Sequence, residues 1–187
     1  NFNDAQKPLA LRLPTGDGAK FKRAMTALVA SLKSAMRDLF AGDDYAARKK
    51  ALEDKFRATA DLPFHELRRA ASAKGLMLVE PHEGRYELKP QRGGVLLDDD
   101  ELAELSIAER DRLNRARRDL HALLEQALTA LSTLRARNEV DLRALDLAMG
   151  EARLRDLLQP LYQRFGTGDD VRRYLNEVSR DLLRNLG

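Results

Sequence analysis

Hydrophobic residues recur at helical spacing over a long stretch of the chain, from Ser106 to about Phe165. Ser106 and Glu109 have the spacing of a capping box, which satisfies free amides in the first turn of a helix. Two rows then repeat every seven residues, as in a coiled coil, and Arg117 and Asn138 interrupt one of them with polar side chains. The pattern predicts one very long helix, or two helices almost end to end. The remaining members of the rows are Leu113, Leu120, Leu124, Ala127, Leu131, Leu134 and Leu145.

Shorter apolar stripes predict further helices before and after this one. A first helix is expected over 19–40, and a second over 45–74. Pro63 should kink or restart the second, because its ring removes a backbone amide and clashes with the preceding turn. A last helix is expected after Asp169 and Asp170, which suit a helix start. The stripe of the first helix consists of Phe21, Met25, Leu28, Leu32, Met36 and Leu39, and that of the last consists of Val171, Leu175, Val178 and Leu182.

Two stretches have the alternating pattern of β-strands instead. Residues 76–79 read LMLV and residues 86–88 read YEL, and the turn between them predicts a β-hairpin near 76–89. Residues 90–94 are expected to form a loop. Near the start of the chain, Leu9, Leu11 and Leu13 alternate with other residues and predict a short strand that ends at Pro14. The fold class expected from all these patterns is mainly α: an elongated helical bundle or antiparallel coiled coil, with one very long helix and a small β-hairpin.

Composition narrows the class of protein. Hydrophobic residues make up 43% of the chain and charged residues 34%, but aromatic residues only 5%, so leucine and alanine must do most of the packing. The absence of cysteine excludes disulfides and thiolate ligands and suits a reducing, cytoplasmic compartment. No apolar run approaches the length of a membrane span, so no membrane partner is expected.

No catalytic constellation is visible in the sequence. The three histidines are not spaced as metal ligands, and no serine stands in a nucleophile elbow, so no catalytic, cofactor or metal residue is predicted. An arginine cluster over 110–118 is the best candidate for binding nucleic acid. Acidic residues interleave it, and the whole chain has 33 cations against 30 anions, so a solvated, salt-bridged face is favoured over a nucleic-acid site.

The two ends of the chain resemble a known family. Residues 1–4 read NFND, residues 7–14 read KPLALRLP, and glycines follow at 16 and 18. Residues 158–165 read LQPLYQRF near the other end. These phrases, with the order of a leucine-rich helix pair, a hairpin and a very long helix, resemble bacterial Lon-like AAA+ proteases of the LonC and LonB-like branch.

The resemblance implies that the chain is the helical insertion of such a protease, as its missing start methionine also indicates. Residues 1–18 would then join the parent's ATPase core, residues 19–166 would form the coiled-coil insertion, and residues 167–187 would return to the core. The resemblance implies a hexameric parent in which ATP, Mg²⁺ and the Ser-Lys peptidase dyad belong to other parts of the polypeptide.

The function expected from this resemblance is noncatalytic: gating or engaging unfolded protein substrates at the entrance to the chamber. A structural role in assembling the hexamer is the alternative, and nucleic-acid binding is a weaker one. Substrate contacts are expected on the hairpin and on the stripe of the first helix. The candidates are Leu76, Met77, Leu78, Val79, Tyr86, Met25 and Met36.

Overall fold

A computed structural model describes residues 10–82 and 84–184, and these residues are mainly helical, as the sequence predicts. A single turn of 3₁₀-helix at Leu62–Phe64 separates the second and third α-helices. The helices are α1 Asp17–Ala41, α2 Asp43–Ala60, α3 His65–Ala73, α4 Asp99–Glu104, α5 Ile107–Phe165 and α6 Asp169–Arg184. The strands are β1 Leu76–His82, β2 Arg85–Arg92 and β3 Val95–Leu96.

The predicted long helix is one continuous element of 59 residues, α5. Ser106 and Glu109 form the predicted capping box: the Ser106 amide donates to Glu109 Oε2 at 2.9 Å, and the Glu109 amide donates to Ser106 Oγ at 3.3 Å. Asn138, Gly150 and Pro160 all lie within the helix. None of the helices in the described residues is long and apolar enough to cross a membrane.

Two compact units divide the chain. The first contains the described residues up to Leu52 and those from Glu139 onward, and the second runs from Glu53 to Asn138. The core of the first unit lies where α1, the later turns of α5 and α6 meet. Its buried residues are Phe21, Leu28, Met36, Leu154, Leu158, Leu161, Phe165, Val171 and Leu175.

The apolar stripes predicted for α1 and α6 account for most of this core. The rings of Phe21 and Phe165 meet edge to face, with their centroids 5.3 Å apart. Val171, Leu175 and Val178 are the buried face of α6. The stripe at 3.6-residue spacing therefore predicts the burial in this unit correctly.

In the second unit, α3, the sheet and the first half of α5 pack around a separate core. Its strands lie in the order β1-β2-β3, and both pairs are antiparallel. Leu76 faces Pro90 and Leu78 faces Leu88 across the hairpin. The core residues are Phe64, Leu67, Ala71, Leu76, Leu113, Ala116, Leu120, Ala127 and Leu131.

Two predictions about strands are wrong. Residues 10–14 have no regular secondary structure, and no described strand pairs with them. The strand expected around Leu11 and Leu13 is therefore absent from these residues. Residues 7–9 of that prediction lie outside the described residues. Leu11 and Leu13 pack instead against the core of the first unit. The helix also begins at Asp17, earlier than expected.

The loop expected at 90–94 is the second error. Strand β2 continues to Arg92, and β3 pairs back onto it through Gln91–Leu96 and Arg92–Val95. The connection is Gly93-Gly94, and both glycines have positive φ angles, 57° and 87°. Two successive residues with positive φ are what a two-residue hairpin turn requires. The Gly-Gly dipeptide was therefore a signal for this third strand.

Candidate functional site

The predicted contact residues of the hairpin lie on both faces of the sheet. Leu78 and Tyr86 pack against the core of the second unit, and Leu76 is fully buried in it. Tyr86 also stacks on Phe64, with ring centroids 4.5 Å apart, and burial raises the pKa of its hydroxyl. Met77 and Val79 alternate with these residues and so lie on the opposite face, where they are half-buried. On this sheet, Met77 and Val79 are the candidates that remain on an outer surface.

The two methionines predicted on α1 have different environments. Met36 is buried in the core of the first unit and is only 8% exposed. Met25 is half-buried and lines an open, largely apolar cleft of about 600 Å³ between α1 and α6. The cleft is lined by Phe21, Lys22, Met25, Thr26, Val29, Ala30 and Tyr174.

The cleft owes its apolar character to one row of α1. Phe21, Met25 and Val29 follow one another at intervals of four residues and therefore lie on one side of the helix. Phe21 closes the inner wall and is 6% exposed, whereas Val29 is 66% exposed at the outer end. Val29 and Tyr174 were missed as site residues, although the four-residue spacing from Met25 to Val29 was a visible signal.

The predicted arginine cluster does not act as one surface. The Arg110 guanidinium donates to the carbonyl of Ala103 at 2.6 Å, and Arg117 Nε donates to the carbonyl of Leu88 at 3.0 Å. Arg117, a polar residue in the heptad row, thus donates a hydrogen bond to the backbone of β2. Arg112 and Arg115 instead line a polar cavity at the end of α3.

No group of three or more potential metal ligands converges anywhere in the part of the chain that the structure describes. His65 Nε2 lies 3.2 Å from Asp61 Oδ2, which also accepts a hydrogen bond from Arg68. His121 Nε2 lies 3.9 Å from Glu125 on the same helix. The two histidines thus contact single carboxylates and have the surroundings of surface residues.

Taken together, the fold is that of a helical domain with an apolar cleft. A family model described as the Lon-like LonC helical domain matches residues 1–28. No curated protein matches the chain at a significant level. The family match covers the N-terminal phrase and the start of α1 through Leu28, so it includes Phe21 and Met25 of the cleft. Over that stretch the chain is similar to a helical domain of Lon-like proteases, which fits a noncatalytic chain.

Proposed function

We propose that this chain is the noncatalytic helical domain of a Lon-like protease and that it engages unfolded protein substrates through the cleft between α1 and α6. The apolar lining of that cleft is the observation that carries the proposal. It lies on the helix where the family match ends, and Lys22 is the one charged residue among its lining residues. Unfolded polypeptides expose apolar side chains, which are the chemical complement of such a lining.

The cleft has the physical properties that binding of varied sequences requires. Its volume of about 600 Å³ leaves room for several side chains of a bound segment. Met25 has a flexible, polarizable side chain that can adapt to different shapes. Phe21, which closes the inner wall, is 6% exposed and belongs to the packed core of the first unit. A rigid Phe21 beside a flexible Met25 supports binding of polypeptide segments with different sequences.

In this proposal Met77 and Val79 are a secondary contact on the outer face of the hairpin. Leu76 and Met36 do not touch substrate, because their side chains are buried in the two cores. The parent would be a cytoplasmic AAA+ hexamer that supplies ATP, Mg²⁺ and the Ser-Lys dyad. The domain would act by gripping or gating substrates on their way to that peptidase.

The test uses the 187-residue chain and a reduced, alkylated protein that cannot refold. Val29→Asp places a charge at the cleft mouth without disturbing the core, because Val29 is 66% exposed. The expected result is a loss of about tenfold or more in affinity, measured by fluorescence anisotropy, since a buried aspartate loses its hydration.

The matched control is Ile107→Asp, which changes an 81% exposed residue at the start of α5 and should leave binding unchanged. Equal affinities for the two variants, or no binding of the unfolded protein by the original chain, would contradict the proposal. Circular dichroism verifies that both variants remain folded.

One observation favours assembly as a second candidate function. Val140 and Leu147 are 63% and 46% exposed on α5, and their spacing of seven residues places them on one face of the helix. An exposed heptad pair can pack against the same face of a second copy. Sedimentation equilibrium of the original chain and of Val140→Asp/Leu147→Asp distinguishes the functions: a concentration-dependent oligomer that the double variant abolishes supports assembly. A monomer at all concentrations counts against it.

A further inference from the structure

A cavity of about 410 Å³ lies at the end of α3 in the second unit, against one face of α5. Its floor is small side chains and backbone, and its walls are charged. Arg112, Arg115 and Asp119 follow one another at intervals of three and four residues, so they share that face of α5. The lining consists of Ala73, Lys74, Gly75, Arg112, Arg115, Ala116 and Asp119.

Gly75 forms part of the cavity wall. This glycine ends α3 with a φ of +77°, a conformation that residues with a Cβ rarely adopt. A Cβ at this position would lie 3.8 Å from Arg112 Nη2 and 3.7 Å from Leu113 Cδ2. An added Cβ would therefore be in ordinary van der Waals contact with the Arg112 guanidinium, while the positive φ angle is the feature that favours glycine here. Ala116, which is 5% exposed, completes a floor without bulky side chains.

The charges around the cavity are not balanced. Lys74 Nζ contacts Asp119 Oδ2 at 2.7 Å, and this pair neutralises one cation. Neither Arg112 nor Arg115 makes a hydrogen bond or a close ion pair with any residue in 10–82 or 84–184. Two guanidinium groups with unused donors therefore line a cavity that contains one carboxylate.

These cations contribute to the lowered pKa values of neighbouring carboxylates. The hydrogen bond from Lys74 is the main cause of the lowered pKa of Asp119, and the charges of Arg118 and Arg115 lower it further. Hydrogen bonds from Ser106 are the main cause of the lowered pKa of Glu109, to which Arg92 and Arg112 also contribute.

A simpler explanation accounts for only one of the three cations. The last carbonyls of a helix carry partial negative charge, which a single basic residue in the last turn can complement. Lys74 follows α3 directly and can serve this purpose. Arg112 and Arg115 come from another helix. Glu109, outside the cavity, interacts favourably with Arg112, and Asp119 is the one acidic residue among the lining residues.

We propose that this cavity binds a phosphate group, held by Arg112 and Arg115 with Lys74 as a third cation. A guanidinium presents its N–H donors in a planar fork that matches two oxygens of a phosphate, which makes arginine the preferred partner. Asp119 opposes binding of an anion and keeps Lys74 in place. The site lies in the second unit and does not depend on the proposed substrate cleft.

The test measures binding of inorganic phosphate to the 187-residue chain at low ionic strength, by NMR chemical-shift titration. Arg112→Gln/Arg115→Gln should weaken phosphate binding by about tenfold or more, because two charge-assisted contacts are lost. The matched control is Arg137→Gln/Arg155→Gln, which removes the same charge from α5 outside the cavity and should weaken binding by less than about twofold. Asp119→Asn should strengthen binding several-fold, since it removes the opposing charge.

No saturable binding by the original chain, or equal weakening in the two double variants, would overturn the proposal. A further arm identifies the source of the phosphate group. A short single-stranded oligonucleotide that competes with inorganic phosphate, and does so through Arg112 and Arg115, indicates a nucleic-acid backbone. Failure of the oligonucleotide to compete, with phosphate binding intact, indicates a free phosphate or a small phosphate ester.

Discussion

The two units of this chain solve the same packing problem with different kinds of contact. The first is built from helices alone among its described residues, and its core is aliphatic and aromatic. The second contains a sheet, and long-range polar contacts join its elements: Arg117 with the Leu88 carbonyl, and Lys74 with Asp119. A helix satisfies most of its own backbone groups. In the sheet, β3 pairs with β2 only at Gln91 and Arg92, and the Leu88 carbonyl outside that pairing accepts a hydrogen bond from Arg117. The first unit also has a long-range polar contact, in which Tyr45 Oη donates to Asp146 Oδ1 at 2.7 Å. What differs is that a side chain of the second unit donates to the backbone of a strand.

The two units also present different surfaces to solvent. The first unit has an apolar cleft, where the row from Phe21 to Val29 continues past the core. The second unit has a polar cavity, where arginines remain beside the end of α3. The same chain thus offers one surface suited to apolar segments and another suited to anions. Three predictions test how far the contrast between the units extends.

The largest effect is expected from cavities in the two cores, where the units should behave alike. Leu175→Ala in the first unit and Leu76→Ala in the second each replace a fully buried side chain. Each should lower the free energy of unfolding by about 2–5 kcal/mol, because buried contacts are lost and a void remains. Urea unfolding followed by circular dichroism measures the change.

The control for both is Leu62→Ala, whose side chain is 55% exposed and whose loss should cost no more than about 0.5 kcal/mol. A cost for either core substitution as small as that of the control would mean that the affected cluster contributes little to stability.

A smaller effect is expected from Arg117→Ala, which tests the polar contacts of the second unit. The substitution removes the donor at 3.0 Å from the Leu88 carbonyl and should cost about 0.5–1.5 kcal/mol, because the hydrogen bond is exposed to solvent. Arg118→Ala removes a neighbouring charge that contacts no backbone carbonyl of the described residues, and it should be close to neutral. Urea unfolding of both variants measures the difference. Equal stabilities of the two variants would show that water satisfies the Leu88 carbonyl as well as Arg117 does.

The smallest effect is expected from pH, through Asp61 in the second unit. Its carboxylate accepts two hydrogen bonds from Arg68, at 2.6 Å each, and these contacts lower its pKa below the usual 3.8. A lowered folded-state pKa stabilises the fold above the unfolded-state pKa, and this contribution disappears as the pH falls through the folded-state value. The contribution is small because the side chain is 53% exposed and solvent screens the pair.

Asp61→Asn should therefore be slightly less stable than the original chain at pH 7, and the gap should be narrower at pH 3, which lies below the usual pKa of 3.8. Urea midpoints at the two pH values measure it. Asp156→Asn is the control, because that carboxylate has no ion pair within the described residues and its removal should shift neither midpoint. A gap for Asp61→Asn that is the same at both pH values would contradict the assignment.

Much of the fold was predictable because helices follow local rules. The stripe that begins at Phe21, the capping box of Ser106 and Glu109, and the restart at Pro63 all depend on residues a few positions apart. Strand β3 was missed because two exposed residues carry little periodicity, and the strand near Leu11 was predicted from alternation alone. Alternation identifies a strand only when a partner supplies the hydrogen bonds.

The candidate sites were less predictable. Met25 was named from its stripe, and Val29 was overlooked although it follows Met25 by four residues. Tyr174 lines the same cleft from α6, which only packing brings about. Lys74 and Asp119 are 45 positions apart and form their ion pair only through packing. No spacing rule connects residues so far apart in sequence.

The sequence by itself determined the helical class, the long central helix, the stripes that become the two cores, and the similarity to a Lon-like helical domain over residues 1–28. Only the tertiary structure decided that α5 passes unbroken through Pro160, that Leu76 is fully buried, and which arginines donate hydrogen bonds to carbonyls. The physical reason is the distance along the chain over which each kind of interaction acts. Backbone hydrogen bonds and side-chain periodicity within a helix act over a few residues, whereas burial and charge balance depend on everything that packs nearby.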